Sequence, residues 1–150
     1  EKARHDDLTG IRNKNAYGEF EKKLDQQIKC GKDIEFAIAL CDVNGLKTVN
    51  DTHGHKTGDI YIRDAAKLIC ETFKHSPVFR VGGDEFVVVL RGSDFTNREE
   101  LSQQFYETVK RNAEEDKVIV ACGISVYYKA HDKNTAAVFE RADAMMIIIY

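Results

Sequence analysis

The run Phe79-Arg80-Val81-Gly82-Gly83-Asp84-Glu85-Phe86-Val87-Val88-Val89-Leu90 constrains the fold more than any other stretch of this chain. Two short apolar segments flank a Gly-Gly pair, the pattern of two antiparallel strands joined by a tight turn. Glycine accepts the positive φ that such turns call for, which suits Gly82 and Gly83 to the tip. Asp84 and Glu85 follow at the tip, where a hairpin built only for stability more often carries Asn, Lys or Thr. The strand behind them holds both carboxylates on a rigid base, and the bare glycine backbone lets an anionic ligand approach closely. The alternative is an ordinary surface hairpin with acids in its turn.

Around the hairpin, helical and strand periodicities alternate. Tyr17, Phe20, Leu24 and Ile28 are spaced for one face of a helix over residues 15–29, and Gly31 is its stop signal. Residues 34–43 are apolar almost throughout and read as a central strand buried on both faces, with Asp42 at its end. A short helix with Leu46, Val49 and Asn50 comes next, then a turn across Gly54 to Gly58. Thr57 is placed to cap a longer helix reaching about Phe73, with Ile60, Ala65, Leu68 and Ile69 facing inward. Pro77, the only proline, breaks the chain before the hairpin. Residues 94–115 form an amphipathic helix (Leu101, Phe105, Val109), residues 118–127 a strand, and a closing helix from Asn134 carries Ala137, Val138, Arg141 and Ala142. This order predicts an α/β (α+β) sandwich with a mixed central sheet.

The 150 residues suit one domain with a proper core. A net charge of −3 and scattered Lys and Arg give no footprint for nucleic acid. Cys30, Cys41, Cys70 and Cys122 lie far apart in sequence without a CxxC pair, which favours reduced thiols in a cytoplasmic protein over disulfides or a zinc site. The opening Glu1-Lys2-Ala3-Arg4 has no Met and no signal peptide, so residues 1–6 read as a linker from an upstream domain and residues 7–150 as the domain itself, cut short at its C-terminus. The apolar end, Met145 to Tyr150, is far shorter than the roughly 20 residues of a membrane span, which predicts no membrane contact.

Asp42 ends one strand and Asp84 tips the hairpin. Should that strand lie beside the hairpin, the two carboxylates meet at one sheet edge and offer Mg²⁺ hard oxygen ligands, the arrangement phosphoryl transfer requires. Without a metal, one of the two acids is driven to hold a proton. Unrelated strand-end acids are the plain alternative.

The motifs also resemble a family, the GGDEF domains or diguanylate cyclases. Gly82-Gly83-Asp84-Glu85-Phe86 matches their signature, Asp7-Leu8-Thr9-Gly10 their opening, and residues 42–51 and 52–59 their metal and nucleotide segments. Arg141-Ala142-Asp143 matches the start of their last helix, so the ordered set covers nearly all the chain. The resemblance implies a βαββαβ core related to nucleotide cyclases and polymerase palms. It further implies Mg²⁺-dependent (or Mn²⁺-dependent) condensation of two GTP into cyclic di-GMP with release of pyrophosphate, by a homodimer under an upstream sensory or regulatory domain. On that resemblance Asp42, the Val43 carbonyl and Asp84 hold the metal, Asp84 also activates the attacking hydroxyl, and Lys47 steadies phosphate charge. Asn50 and Asp59 read guanine; His55, Gly45, Leu46, Gly83 and Glu85 contact substrate. Plain roles stand beside these: a helix-end cap for Asn50, a first-turn charge for Asp59, a turn residue for His55 and an exposed helix lysine for Lys47.

Two departures from the family pattern follow. Ile147 and Tyr150 stand where a tyrosine and a phosphate-binding lysine are expected, and Phe73-Lys74-His75-Ser76 replaces the Arg-x-x-Asp of the product-inhibition site. The first favours a runner-up reading, a GTP-binding module that regulates a partner domain without catalysis. The second implies weak product binding at that position.

Overall fold

The computed structural model describes residues 3–146. Ile147 and Tyr150, the first of the two departures, lie outside the described residues. In chain order the elements are α1 (Lys14–Lys29), β1 (Ala37–Val43), α2 (Leu46–His53), α3 (His55–Thr72), β2 (Val78–Arg80), β3 (Glu85–Leu90), α4 (Gly92–Thr96), α5 (Arg98–Glu114), β4 (Val120–Val126) and α6 (Thr135–Ala144). The four strands form one sheet in the order β2-β3-β1-β4.

Side chains alternate across that sheet and build two cores. Ala37, Ala39, Cys41 and Val43 of β1 face α3 and α5, together with Phe86, Val88 and Leu90. Ile38 and Leu40 face α1 and α6, together with Val87 and Val89. Burial on both sides is why β1 reads as a continuous apolar run. The α+β sandwich predicted from element order is the fold found, with one refinement. Each of the three strand pairings is antiparallel, whereas a mixed sheet is expected from sequence. β2 and β1 do run the same way, but β3 inserts between them.

Helix ends differ from expectation for local reasons. α1 begins at Lys14, one residue before the expected 15, because Asn13 caps it, accepting a hydrogen bond from the Ala16 amide at 3.1 Å. α3 begins at His55, so Thr57 is already helical and caps nothing; Gly54, with φ of 87°, makes the break from α2 instead. The buried stripe of α3 runs Ile62, Ala65, Ala66, Ile69, spaced i, i+3, i+4, i+7, and continues into the buried cap residue Phe73. Ile60 lies about 200° round the helix from Ile62 and is 54% exposed, contrary to its expected inward orientation. The helix expected over 94–115 is two helices, interrupted at Asn97.

Candidate functional site

Asp42, next to last in β1, is the direct cross-strand partner of Glu85, the first residue of β3. The Val43 amide donates to the Asp84 carbonyl at 2.8 Å, making 43–84 a hydrogen-bonded pair and 42–85 the neighbouring non-hydrogen-bonded one. Side chains stand closest at such a pair, and opposed like charges there are destabilising. Both carboxylates lie on the face covered by α1 and α6, because Asp42 continues the alternation of Ile38 and Leu40. Asp84 sits exposed in the turn beside them.

Packing alone would not select this arrangement. Asp42 Oδ1 is buried and accepts no hydrogen bond among the described residues. Burial pushes the Asp42 carboxyl up, and the charge and hydrogen bond of Asp84, then the charges of Glu85 and Asp143, carry it to about 6. Glu85 is raised too, by burial and then by Asp84 and Asp143, with Lys14 opposing. Asp143, near the end of α6, is a member of this charge cluster that sequence reasoning does not pick out.

A pH dependence follows for the metal-free domain. An acid whose folded value is raised above 3.8 binds more protons folded than unfolded between about pH 4 and 6. On this group's account, stability therefore falls as pH rises through that window and is flat above it. Asp6 and Asp132, both lowered, act in the opposite sense and below it. For Asp132 the Arg141 hydrogen bond leads. For Asp6, burial is more than offset by bonds from Thr9 and Arg80. Asp42→Asn is expected to stabilise the metal-free domain at pH 7.5 by about 1 kcal/mol, allowing for solvent screening, and to do much less at pH 4. Urea denaturation at the two pH values checks this, and equal effects at both would contradict it.

The hairpin tip is held from below. The Arg80 guanidinium pairs with the Asp6 carboxylate at 3.1 Å and donates to the Gly83 carbonyl at 2.7 Å, clasping the N-terminal segment to the turn. Its sequence signal is an arginine two residues before the Gly-Gly pair, inside an otherwise apolar strand. Neither Gly82 nor Gly83 has a left-handed φ, which corrects the turn-geometry expectation. A Cβ at Gly83 would also meet nothing within 4 Å, so the chain itself gives no steric reason for glycine there.

The remaining expected site residues fall into two groups. Gly45, with φ of 71°, turns the chain from β1 into α2, so Leu46 and Lys47 open that helix directly beyond the carboxylate strand. The first amides of α2 have no intrahelical partner. Lys47 is exposed and makes no ion pair among the described residues. Asn50 lies further along α2 against the first turn of α3, where a Cβ on Gly58 would overlap its Oδ1. Gly58 thus lets Asn50 pack against the turn of α3 that also carries Asp59, and sequence reasoning missed that role. Asp59 and His55 are exposed on α3.

Phe73 is not at a surface site at all: it is buried and stacks on Phe105. The buried Asp94 carboxylate holds the His75 amide and Ser76 hydroxyl at 2.9 and 2.7 Å. A cleft of about 660 Å³ beside them is rimmed by His5, Arg12, Lys74, His75 and Arg91, away from the Asp42–Glu85 pair.

Among the described residues no three His, Cys, Asp or Glu side chains make a ready cage for a metal. Two adjoining carboxylates, one with an unpartnered buried oxygen, nonetheless fit a hard divalent cation that completes its shell with carbonyl, water or phosphate oxygens.

The profile of the family described as "Diguanylate cyclase, GGDEF domain" matches residues 3–148. A Staphylococcus haemolyticus protein, SH2145, is 32% identical over 152 residues, covering 95% of this chain but 42% of that protein. The FimX GGDEF domain of Pseudomonas aeruginosa shares the fold at a TM-score of 0.78 and 17% identity, covering 96% of this chain and 91% of that one. The DgcB GGDEF domain of Caulobacter crescentus, solved in complex with c-di-GMP, aligns at a TM-score of 0.73 and 24% identity, covering 96% and 85%. SH2145 is named an uncharacterized membrane protein, which overturns the cytoplasmic expectation; that expectation rests on a chain spanning less than half of this relative. Among the described residues, no helix is long and apolar enough to cross a membrane.

Proposed function

This chain belongs to the diguanylate cyclase GGDEF domain family, and from that premise we propose that it condenses two GTP into cyclic di-GMP and two pyrophosphates. The observation that carries the reading is the opposition of Asp42 and Glu85 across a non-hydrogen-bonded pair with Asp84 in the adjoining turn. That arrangement costs stability and earns its place by function. Asp42, Asp84 and the Val43 carbonyl would hold Mg²⁺ (or Mn²⁺). Bound there, the ion supplies charge neutralisation of the triphosphate and of the developing leaving group.

The chain's own groups do the rest. The first amides of α2, at Leu46 and Lys47, offer free donors to phosphate oxygens, and Gly45 keeps the approach bare. Lys47 adds a point charge. The open backbone at Gly83 supports close passage of the substrate. Asp84 takes or orients the proton of the attacking 3′-hydroxyl, and Glu85 contacts substrate from the next position. Asn50 and Asp59 face the guanine edge, the carboxylate accepting from N1–H and the 2-amino group, with His55 nearby. Adenine lacks that donor pair and leaves Asp59 unpaired.

GTP is accordingly expected to raise the thermal stability of the domain several degrees more than ATP. Gly58→Ala should keep the fold, since the overlapping atom is the end of a movable side chain, yet reduce the GTP preference about tenfold by displacing Asn50. Retention of full preference in that variant would remove Asn50 from guanine reading. Each domain holds one GTP, so catalysis needs two copies face to face under an upstream regulatory domain. Specific activity should then climb with protein concentration, and a flat dependence would argue against a catalytic dimer.

Incubating the protein with GTP and Mg²⁺ while following cyclic di-GMP tests the reading. GTP binding without product at any protein concentration would turn the assignment to the non-catalytic GTP-binding module that Tyr150 favours.

A further inference from the structure

Cys41 and Cys122, 81 residues apart in sequence, are direct partners in the β1–β4 register, with their sulfurs 3.8 Å apart. Which kind of pair they form can be read from the ladder. The Asn44 amide donates to the Ile119 carbonyl and the Tyr127 amide to the Phe36 carbonyl, so 44–119 and 36–127 are hydrogen-bonded pairs. Alternation along the ladder makes 41–122 a non-hydrogen-bonded pair, whose Cα atoms stand about 4.5 Å apart with side chains close. Disulfides span Cα separations of about 4.4–6.8 Å. The two thiols already point to the same side of the sheet, the one packed against α3 and α5. Closing the bond needs small side-chain rotations and no change of register. Cys41 is fully buried, whereas Cys122, on the edge strand, is only partly so and is the more accessible residue of the two.

From this geometry we propose that Cys41 and Cys122 form an oxidisable dithiol, converted by a hydroperoxide into a cross-strand disulfide that staples β1 to the outer strand β4. The Cys122 sulfur attacks the terminal peroxide oxygen, the O–O bond breaks, and one molecule of water or alcohol leaves. The Cys41 sulfur then attacks the resulting sulfenic acid, the S–O bond breaks, and a water leaves as the S–S bond forms. Two thiols are oxidised by two electrons while the peroxide is reduced by two. The modification sits one residue from Asp42 and is independent of the proposed cyclase reaction.

The test uses the whole chain in native buffer with hydrogen peroxide, followed by quenching, unfolding, alkylation and peptide mapping without reductant. The expected result is one dominant cross-linked peptide pair, containing Cys41 and Cys122. With it should come a rise of several degrees in unfolding temperature that dithiothreitol reverses, because the bond closes a long loop. Cys122→Ser should lose both. Should that core variant not fold, Cys30→Ser, which removes the exposed competing thiol, must still give the 41–122 cross-link. Complete oxidation of Cys30 with Cys41 and Cys122 still alkylatable would overturn the proposal, as would a cross-link found only in urea-unfolded protein.

Discussion

Asp84→Asn is expected to end cyclic di-GMP synthesis, by ~100-fold or more, while leaving the domain folded. The two halves of that expectation have separate grounds. The side chain is exposed, and the contact that ties this residue to β1 is made by its backbone carbonyl, which receives the Val43 amide. Asparagine keeps that bond. It also relieves the charge repulsion that lifts the neighbouring Asp42, so the metal-free variant should be no less stable than the parent. What is lost is a formal charge at the point where a cation and an attacking hydroxyl would be held. Product formation from GTP is the measurement, with circular dichroism and a melting curve as controls. Undiminished synthesis by a folded variant would dismiss Asp84 as a metal or proton group.

The largest effect on stability is expected at Gly123. It pairs with Leu40 in the β1–β4 register and lies on the face that α6 covers. A Cβ there would overlap the Ala142 carbonyl oxygen and stand 2.7 Å from the Met146 nitrogen and 2.9 Å from the Met145 carbonyl carbon. All three are backbone atoms, so no side chain can rotate away, in contrast to Gly58. Gly123→Ala therefore has to lift the end of α6 off the sheet, at about 3 kcal/mol or more. That corresponds to roughly 6–12 °C in melting temperature. The lifted segment carries Asp143, so the variant should also lower the proton affinity of Asp42. A melting curve superposable on that of the parent would show that α6 can shift freely.

These two positions show where sequence reasoning works and where it stops. The apolar run of β1, the hairpin and the closing helix that follows Asn134 are local signals, and each is found in place. Asp42 and Asp84 could be marked as strand-end and turn acids from their surroundings alone. That Glu85, not Asp84, stands directly opposite Asp42 depends on register, which long-range pairing sets. The approach of Asp143 depends on how closely α6 packs on Gly123, and one sequence holds no distance. Ile60 is apolar yet lies off the stripe that Ile62, Ala65 and Ile69 share, so residue type alone misplaces it. Gly82 and Gly83 matched a hairpin rule whose positive φ the turn does not use. Cys41 and Cys122 look unrelated until the ladder pairs them.

The parity of β1 carries a consequence for changes of length, as distinct from changes of residue. Asp42 shares a face with Ile38 and Leu40 only because it follows them by even steps. Losing or gaining one residue between Leu40 and Asp42 would leave Ile38 and Leu40 in place and send that carboxylate through the sheet, into the apolar layer beneath α3 and α5. No single substitution repairs such a swap. The exposed run Gly31-Lys32-Asp33, only a few residues earlier, is free of this parity and can vary in length. Among members of this family, length differences should therefore crowd into the connection ahead of β1 and stop sharply at its first residue.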